Sequence, residues 1–450
     1  MKRHLIFGRF GVSDRARIPV AEGELATRLQ FVVTRRRLEH DISDALETLA
    51  KLGVYPSEIG IDLLVLAAHV QAADTRISRD SESQDGWTRE IRVIVPVSDP
   101  ATWNESVPLL ERLLNFLTGD RWTVGFRPRP QGFEQITPQK PARLIPPPFD
   151  SLSLFSGGLD SLIGAIDLLE QDKTPLLISH ADPTTSKSQK LLFERLKEKY
   201  SKQNFDHLRL WITFRGFKVR GVKPDTTTRS RSFLFFAAGV FAGTGLDKPF
   251  TLTVPENGLI ALNVPLDPLR LGAFSTRTTH PFYIARWNEL LQALRVSGHI
   301  ENPYWDKTKG EMVANCENAH LLGALVPHSF SCSSPTKGRW QHHSREHCGF
   351  CLPCLIRRAA LRGRDATSYT LANLSARPVD TNKAEGKQIR SFQFAIQRIS
   401  QNPSLARLLI HKPGPLSDES AARQAALADV YRRGLGELDV LLAGVRTTRT

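Results

Sequence analysis

Ser156-Gly157-Gly158-Leu159-Asp160-Ser161 lies between a short apolar run, Leu152-Ser153-Leu154-Phe155, and a segment over 162–169 with helical apolar spacing. A buried strand that turns on two glycines into a helix commits the surrounding chain to a layered α/β arrangement. Gly157 and Gly158 permit a tight turn that brings backbone N–H groups close to an anion. The helix adds its unpaired N-terminal N–H groups and the positive end of its dipole. Ser156 and Ser161 offer hydroxyl donors to phosphate oxygens. The Asp160 carboxylate beside a polyanion makes chemical sense with Mg2+ between them. No Gly-Lys-Ser/Thr follows the glycines, so the loop is not of the Walker A kind. The plain alternative is a glycine turn with Asp160 or Ser161 as helix cap.

Downstream, strands expected at 151–155, 175–179, 208–213 and 250–254 alternate with helices at 161–170, 186–200 and 229–244. This alternation predicts an α/β fold with a doubly wound parallel sheet, and ligands at the carboxyl ends of its strands. Residues 1–140 read as a separate α+β domain. Its expected elements are a helix-rich stretch over 22–49 with Arg35-Arg36-Arg37 facing solvent, and a buried strand in the apolar run 61–68. Further strands are expected at 90–97 and 122–126, an amphipathic helix at 109–117 and a hairpin turn at Asp85-Gly86. Prolines between 137 and 148 mark a linker over 141–149. The strand–helix alternation and the cysteine-bearing stretch after it then span a second domain, 150–375. A helical extension, 376–450, ends in a helix over 419–443 that is expected to cap the sheet.

Four of the 5 cysteines fall between 332 and 354: Cys332, then Cys348, Cys351 and Cys354 in two overlapping C-x-x-C steps. Four thiolates suffice for a closed tetrahedral zinc site. An iron–sulfur cluster or thiol redox chemistry are the alternatives. His342, His343 and His347 could each replace one thiolate, but the cysteines complete the set alone. Cys316, in a helix expected over 310–325, reads as a packing residue.

Other polar groups fall where strands should end. Arg229-Ser230-Arg231 opens the third helix of the sheet and suits phosphate or a substrate carboxylate. Glu256-Asn257-Gly258 follows a strand. The polar run 275–281, with Arg277 and His280, is a candidate for substrate or nucleotide contacts. The net charge is +14, and nearly all the excess lies beyond residue 145. Such a balance suits nucleotides, nucleic acid or an acidic protein partner. No apolar run approaches a membrane span, and Arg9 interrupts the first apolar stretch too early for a signal peptide, so a cytoplasmic location is expected.

The run 156–161 resembles the signature of the PP-loop ATP pyrophosphatases. Together with the C-G-x-C-x-x-C-x-x-R stretch from Cys348 to Arg357, it resembles the 7-cyano-7-deazaguanine synthase (QueC-like) family over roughly residues 150–365. That resemblance implies an adenine nucleotide α-hydrolase-like fold, ATP with Mg2+, and cleavage to AMP and pyrophosphate. It implies a structural Zn2+ on Cys332, Cys348, Cys351 and Cys354. It assigns nucleotide binding to 156–161 and Arg231, and catalytic roles to Asp160, Ser161 and Arg229. The segment from Asn302-Pro303 to Lys307-Thr308-Lys309-Gly310-Glu311 resembles one that ends in a lysine before a helix. Lys309 or Lys307 would there stabilise the transferring phosphate. Glu256, Asn257, Arg277 and His280 would bind substrate.

The N-terminal domain, the long tail and the wide gap between Cys332 and Cys348 depart from the housekeeping synthase. They are closer to the QueC-like component of Qat anti-phage defence systems, the QatC family. This implies a 7-deazaguanine-type carboxylate as acyl donor, and an amine on a partner protein of the defence operon as acceptor, docked through the N-terminal domain. The alternatives are a 7-cyano-7-deazaguanine synthase with extra domains, a tRNA-modifying PP-loop enzyme, and a nucleotide-sensing scaffold without turnover.

Overall fold

In the computed structural model, which describes residues 2–32, 37–84, 86–141, 146–225, 227, 229–267, 277–333 and 346–448, two parallel sheets are joined across a pair of helices. The first half runs β1 (Arg3–Phe10), β2 (Glu24–Val32), α1 (Ile42–Lys51), α2 (Glu58–Arg76), α3 (Arg79–Glu82), β3 (Glu90–Val97), α4 (Pro100–Glu105), α5 (Val107–Thr118) and β4 (Arg121–Pro128). Its sheet has the order β2-β1-β3-β4, with every ladder parallel. The segment is therefore α/β in build, where an α+β pattern was expected.

Two expectations fail here for identifiable reasons. The apolar run 61–68, expected as a strand, is the middle of α2. That helix is buried over residues 60–74, so the run carries no one-sided periodicity to reveal it. Its start is set by the Ser57 side chain, which accepts from the Gly60 N–H at 3.2 Å. The helix-rich stretch over 22–49 is instead β2 followed by α1, with Leu29 and Phe31 of β2 on the buried side. Arg37 pairs with Asp44 and Glu47 on the exposed face of α1. Arg35, Arg36 and the expected hairpin residue Asp85 lie outside the described residues.

The second sheet is built from β5 (Ser151–Leu154), α6 (Leu159–Glu170), β6 (Pro175–His180), α7 (Ser186–Lys199), β7 (Asp206–Leu210), α8 (Arg231–Gly243), β8 (Phe250–Thr253), α9 (Gly258–Leu262), α10 (Pro281–Ala293) and β9 (Gly298–Glu301). The order is β7-β6-β5-β8-β9, again wholly parallel. The winding reverses between β5 and β8, which makes their carboxyl ends a topological switch point. The expected doubly wound parallel sheet is thus present, with β9 added beyond it.

The sheets are held together by α2 and α8, stacked between them. A Cβ at Gly60 would lie 2.3 Å from Thr244 Oγ1, so the two helices touch at backbone distance. Gly239 and Gly243, one turn apart on α8, press equally closely on Leu252 and Phe250. One apolar core runs from Ile6 through both layers to Ile300. A buried ionic network reinforces the seam. Arg89 donates to Asp120 and Asp74, and Arg79 reaches the same two carboxylates. The Arg79 and Ser230 N–H groups bond Asp225 and Asp74 across the seam.

The remaining chain forms α11 (Lys309–Ala314), α12 (Ala319–Leu325), α13 (Leu352–Leu361), β10 (Val379–Asp380), α14 (Ala384–Gln401), α15 (Leu405–Leu409), α16 (Ala421–Leu442) and β11 (Thr447–Thr448). The single helix expected over 310–325 is broken at 315–318, where Asn318 caps α12 through Leu321 N–H. Cys316 sits in that break, buried against Leu162 and Met312. The tail helices share an apolar cluster with α9 and α13, so they pack on these helices and not directly on the sheet they were expected to cap. No described helix is long and apolar enough to cross a membrane.

Removing Asp120 would leave the buried Arg79 and Arg89 guanidiniums to share Asp74 and Asp225. Asp120→Ala is expected to cost about 3–5 kcal/mol, read from the denaturant midpoint and slope.

Candidate active site and metal centre

Leaving β5, the chain turns at Gly157 with φ +79°, where a Cβ would be strained and only 3.1 Å from Gln189 Cγ. Gly158 is the N-cap of α6 and has no side chain to cap it with. The plain reading with Asp160 or Ser161 as cap therefore does not hold. Ser156 Oγ accepts from Gly158 N–H at 3.2 Å and lies 3.1 Å from Ser161 Oγ, which also bonds Gly158 O. Leu159 packs inward, and its N–H donates to Ser331 Oγ.

Asp160, on the first turn of α6, is only 6% exposed. Lys309, at the start of α11 and 3% exposed, places its ammonium 3.0 Å from Asp160 Oδ1. Asn257, the N-cap of α9, donates from Nδ2 to Asp160 Oδ2 at 2.8 Å and to Glu256 Oε1 at 3.0 Å. Burial alone would raise the Asp160 pKa, but the Lys309 charge and these hydrogen bonds hold it below its ordinary value. Glu256 moves the opposite way. Burial and the adjacent Asp160 charge push it well above 4.5, so it holds a proton where Asp160 does not.

A cavity of about 770 Å³ opens beside this cluster at the β5–β8 switch point. Ser156, Ser161 and Glu256 line it, with Arg231 and Asp182 opposite, their charges 2.7 Å apart. Phe235, Thr278 and Phe330 contribute to its walls.

Three expected residues lie elsewhere. Arg229 points into the seam between the sheets, stacked 4.0 Å from the Trp87 ring, with Nη1 on Thr118 O. Burial and the neighbouring Arg79 push its pKa down to about 10. Arg277 lies over Phe116 and donates to the Phe116 carbonyl. His280 is the N-cap of α10, its Nδ1 accepting from Phe282 N–H, and burial pushes its pKa to about 3. All three looked available because their partners, Trp87, Thr118 and Phe116, come from the first half of the chain. Lys307 is exposed and pairs with Asp306, so Lys309 is the lysine of the cluster. Within 275–281, Ser275 and Thr276 lie outside the described residues.

The cysteines converge as their spacing predicts. The sulfurs of Cys332, Cys348, Cys351 and Cys354 all lie within 4.8 Å of one another, with the Cys332–Cys351 and Cys348–Cys354 pairs at 3.9 Å. Zinc–sulfur bonds of about 2.3 Å place tetrahedral ligands roughly 3.8 Å apart, so the quartet could hold a metal ion such as zinc. Backbone N–H groups of Cys348 and Cys351 donate to Cys332 and Cys348 sulfur. His347 is not in the quartet, and its Nε2 accepts from Ser331 N–H. His342 and His343 lie outside the described residues. The metal loop touches the glycine loop directly: Phe330 N–H donates to Gly157 O at 2.7 Å, next to Ser331 and Cys332.

Sequence reasoning missed Asp182 and Ser331. Asp182 lies just past the carboxyl end of β6, as Glu256 lies just past that of β8, and that placement could have found it. Nothing local marks Ser331, whose role depends on the fold around Cys332. No family model matches the chain, and no curated protein matches it.

Purified protein is expected to carry about one zinc per chain by elemental analysis, and Cys354→Ser to lose most of it. Glu256 binds a proton in the native state that it loses on unfolding at neutral pH. Its contribution to stability therefore falls as pH rises above 4.5 toward its native value. In chelator, Glu256→Gln should melt higher than wild type at pH 8, with the gain shrinking toward pH 4.5.

Proposed function

We propose that this chain is an ATP-dependent adenylating enzyme of the PP-loop kind, releasing pyrophosphate and AMP. The observation that carries this reading is the Asp160–Lys309–Glu256 cluster beside a glycine turn and a helix N-terminus, at the mouth of a switch-point cavity. The triphosphate lies along 156–161, with N–H groups and the Ser156 and Ser161 hydroxyls on its oxygens. Asp160 and Glu256, once Glu256 gives up its proton, are the residues to hold Mg2+, which would neutralise charge on the departing pyrophosphate. Lys309 supplies the fixed positive charge on the same side.

A substrate carboxylate oxygen attacks the α-phosphorus, the bond to the β-phosphate oxygen breaks, and an acyl adenylate forms. An amine then attacks the acyl carbon and AMP leaves. Arg231, beside Asp182 at the cavity wall, is placed to orient an anionic or planar substrate. The sequence resemblance supports a 7-deazaguanine-type carboxylate as acyl donor and a partner-protein amine as acceptor, in anti-phage defence.

With α-labelled ATP and Mg2+, 7-carboxy-7-deazaguanine should stimulate labelled AMP and equimolar pyrophosphate. Asp160→Ala should abolish both, and Lys309→Met should slow them by about 100-fold or more. Labelled ADP in place of AMP would contradict the reading.

A further inference from the structure

The two helices that carry the partners of Asp160 are too short to hold themselves in place. Lys309 opens α11, of 6 residues, and Asn257 caps α9, of 5. Their starts are bonded to each other, Gly258 N–H to Lys307 O at 2.8 Å. Both rest on one face of the 22-residue tail helix α16. The Glu437 carboxylate accepts from Thr308 Oγ1 and from Gly310 N–H, the residues on either side of Lys309. Arg433 pairs with Glu311 and donates to Asp306 O at 2.9 Å. On α9, the Val430 methyls come within 3.0 Å of where a Gly258 Cβ would stand. Gly434 is needed where α16 meets Leu259, since a Cβ there would be 2.9 Å from Leu259 Cδ2.

We propose that α16 is a positioning element of the active site, in which Glu437, seconded by Arg433, fixes the backbone at 308–310 and so holds the Lys309 ammonium against Asp160. The catalytic part of this statement rests on the adenylation reading. Its structural part does not. Glu437 touches neither reacting atoms nor the cavity, and its effect passes through Lys309. A tail segment remote in sequence thereby sets the geometry of a cation in the catalytic cluster, and anything that lifts α16 would loosen that cation.

The test compares Glu437→Ala, Lys309→Met and the double variant in the full chain. Surface acylation with an N-hydroxysuccinimide ester, read residue by residue by mass spectrometry, reports Lys309 directly. Wild type should protect Lys309, and Glu437→Ala should raise its acylation about tenfold while exposed lysines such as Lys190 react as before. AMP formation should fall about tenfold in kcat with KM for ATP little changed. In the Lys309→Met background, Glu437→Ala should cost nothing further. Unchanged Lys309 acylation, or a fully additive loss in the double variant, would overturn the proposal. Where Glu437→Ala does not fold, Glu437→Gln keeps one acceptor and the side-chain volume, and unchanged Lys309 acylation there overturns it equally. Wild-type protein that makes no AMP sinks the adenylation reading alone, because the acylation result still decides whether α16 positions Lys309.

Discussion

A carboxylate taken almost wholly out of water is costly unless it is paired, and Asp160 is such a group. Its partners arrive from two other places in the chain, Asn257 at the end of β8 and Lys309 at the start of α11. The ion pair can form only if β5 and β8 are neighbours and α11 folds back over both. The reversal of strand order supplies the first condition, and the packing of α11 on α6, α13 and the tail helix α16 supplies the second. Glu256 completes the balance: two carboxylates face one ammonium, so one of them keeps its proton until a further cation arrives.

The scaffold around it is stiff for reasons visible in its glycines and its buried charges. Gly60 brings α2 and α8 to backbone contact, and Gly239 and Gly243 let α8 press on the Leu252 and Phe250 side chains of β8. The Asp74–Arg79–Arg89–Asp120 network then fixes their registry at the cost of burying charge, a trade that favours a unique arrangement over added stability. The first half of the chain is thus packed on the second, and the seam claims Arg229 for itself. On the other side, Phe330 and Ser331 tie the cysteine quartet to the glycine turn, so the two share one wall.

What the sequence revealed was what lies close together along it. Ser156 to Ser161 and Cys348 to Cys354 carry their geometry in their spacing, and both assemble as read. The parallel sheet was legible because apolar runs alternate with amphipathic helices. α2 was not, because a helix buried on every side has no pattern to show. β9 was not either, because Gly298-His299-Ile300-Glu301 has a single buried apolar residue, Ile300, and no apolar run to mark it. The roles of Arg277 and His280 were misread for a related reason. A polar residue near a helix start looks free for a ligand until Phe116 arrives from another domain's worth of chain away. Glu437 carried no signal at all, since nothing in a surface-looking helix announces that it bonds the residues on either side of Lys309.

The proposed function requires the cavity between β5 and β8 to hold the triphosphate against 156–161. A crystal structure with Mg2+ and an ATP analogue that resists cleavage between the α and β phosphates tests it most directly. The account predicts phosphate oxygens on the N–H groups of 157–161, with the cation between Asp160 and Glu256 and the nucleoside along the wall that carries Arg231. A nucleotide bound away from this loop, or phosphates turned from Asp160 and Lys309, would contradict it.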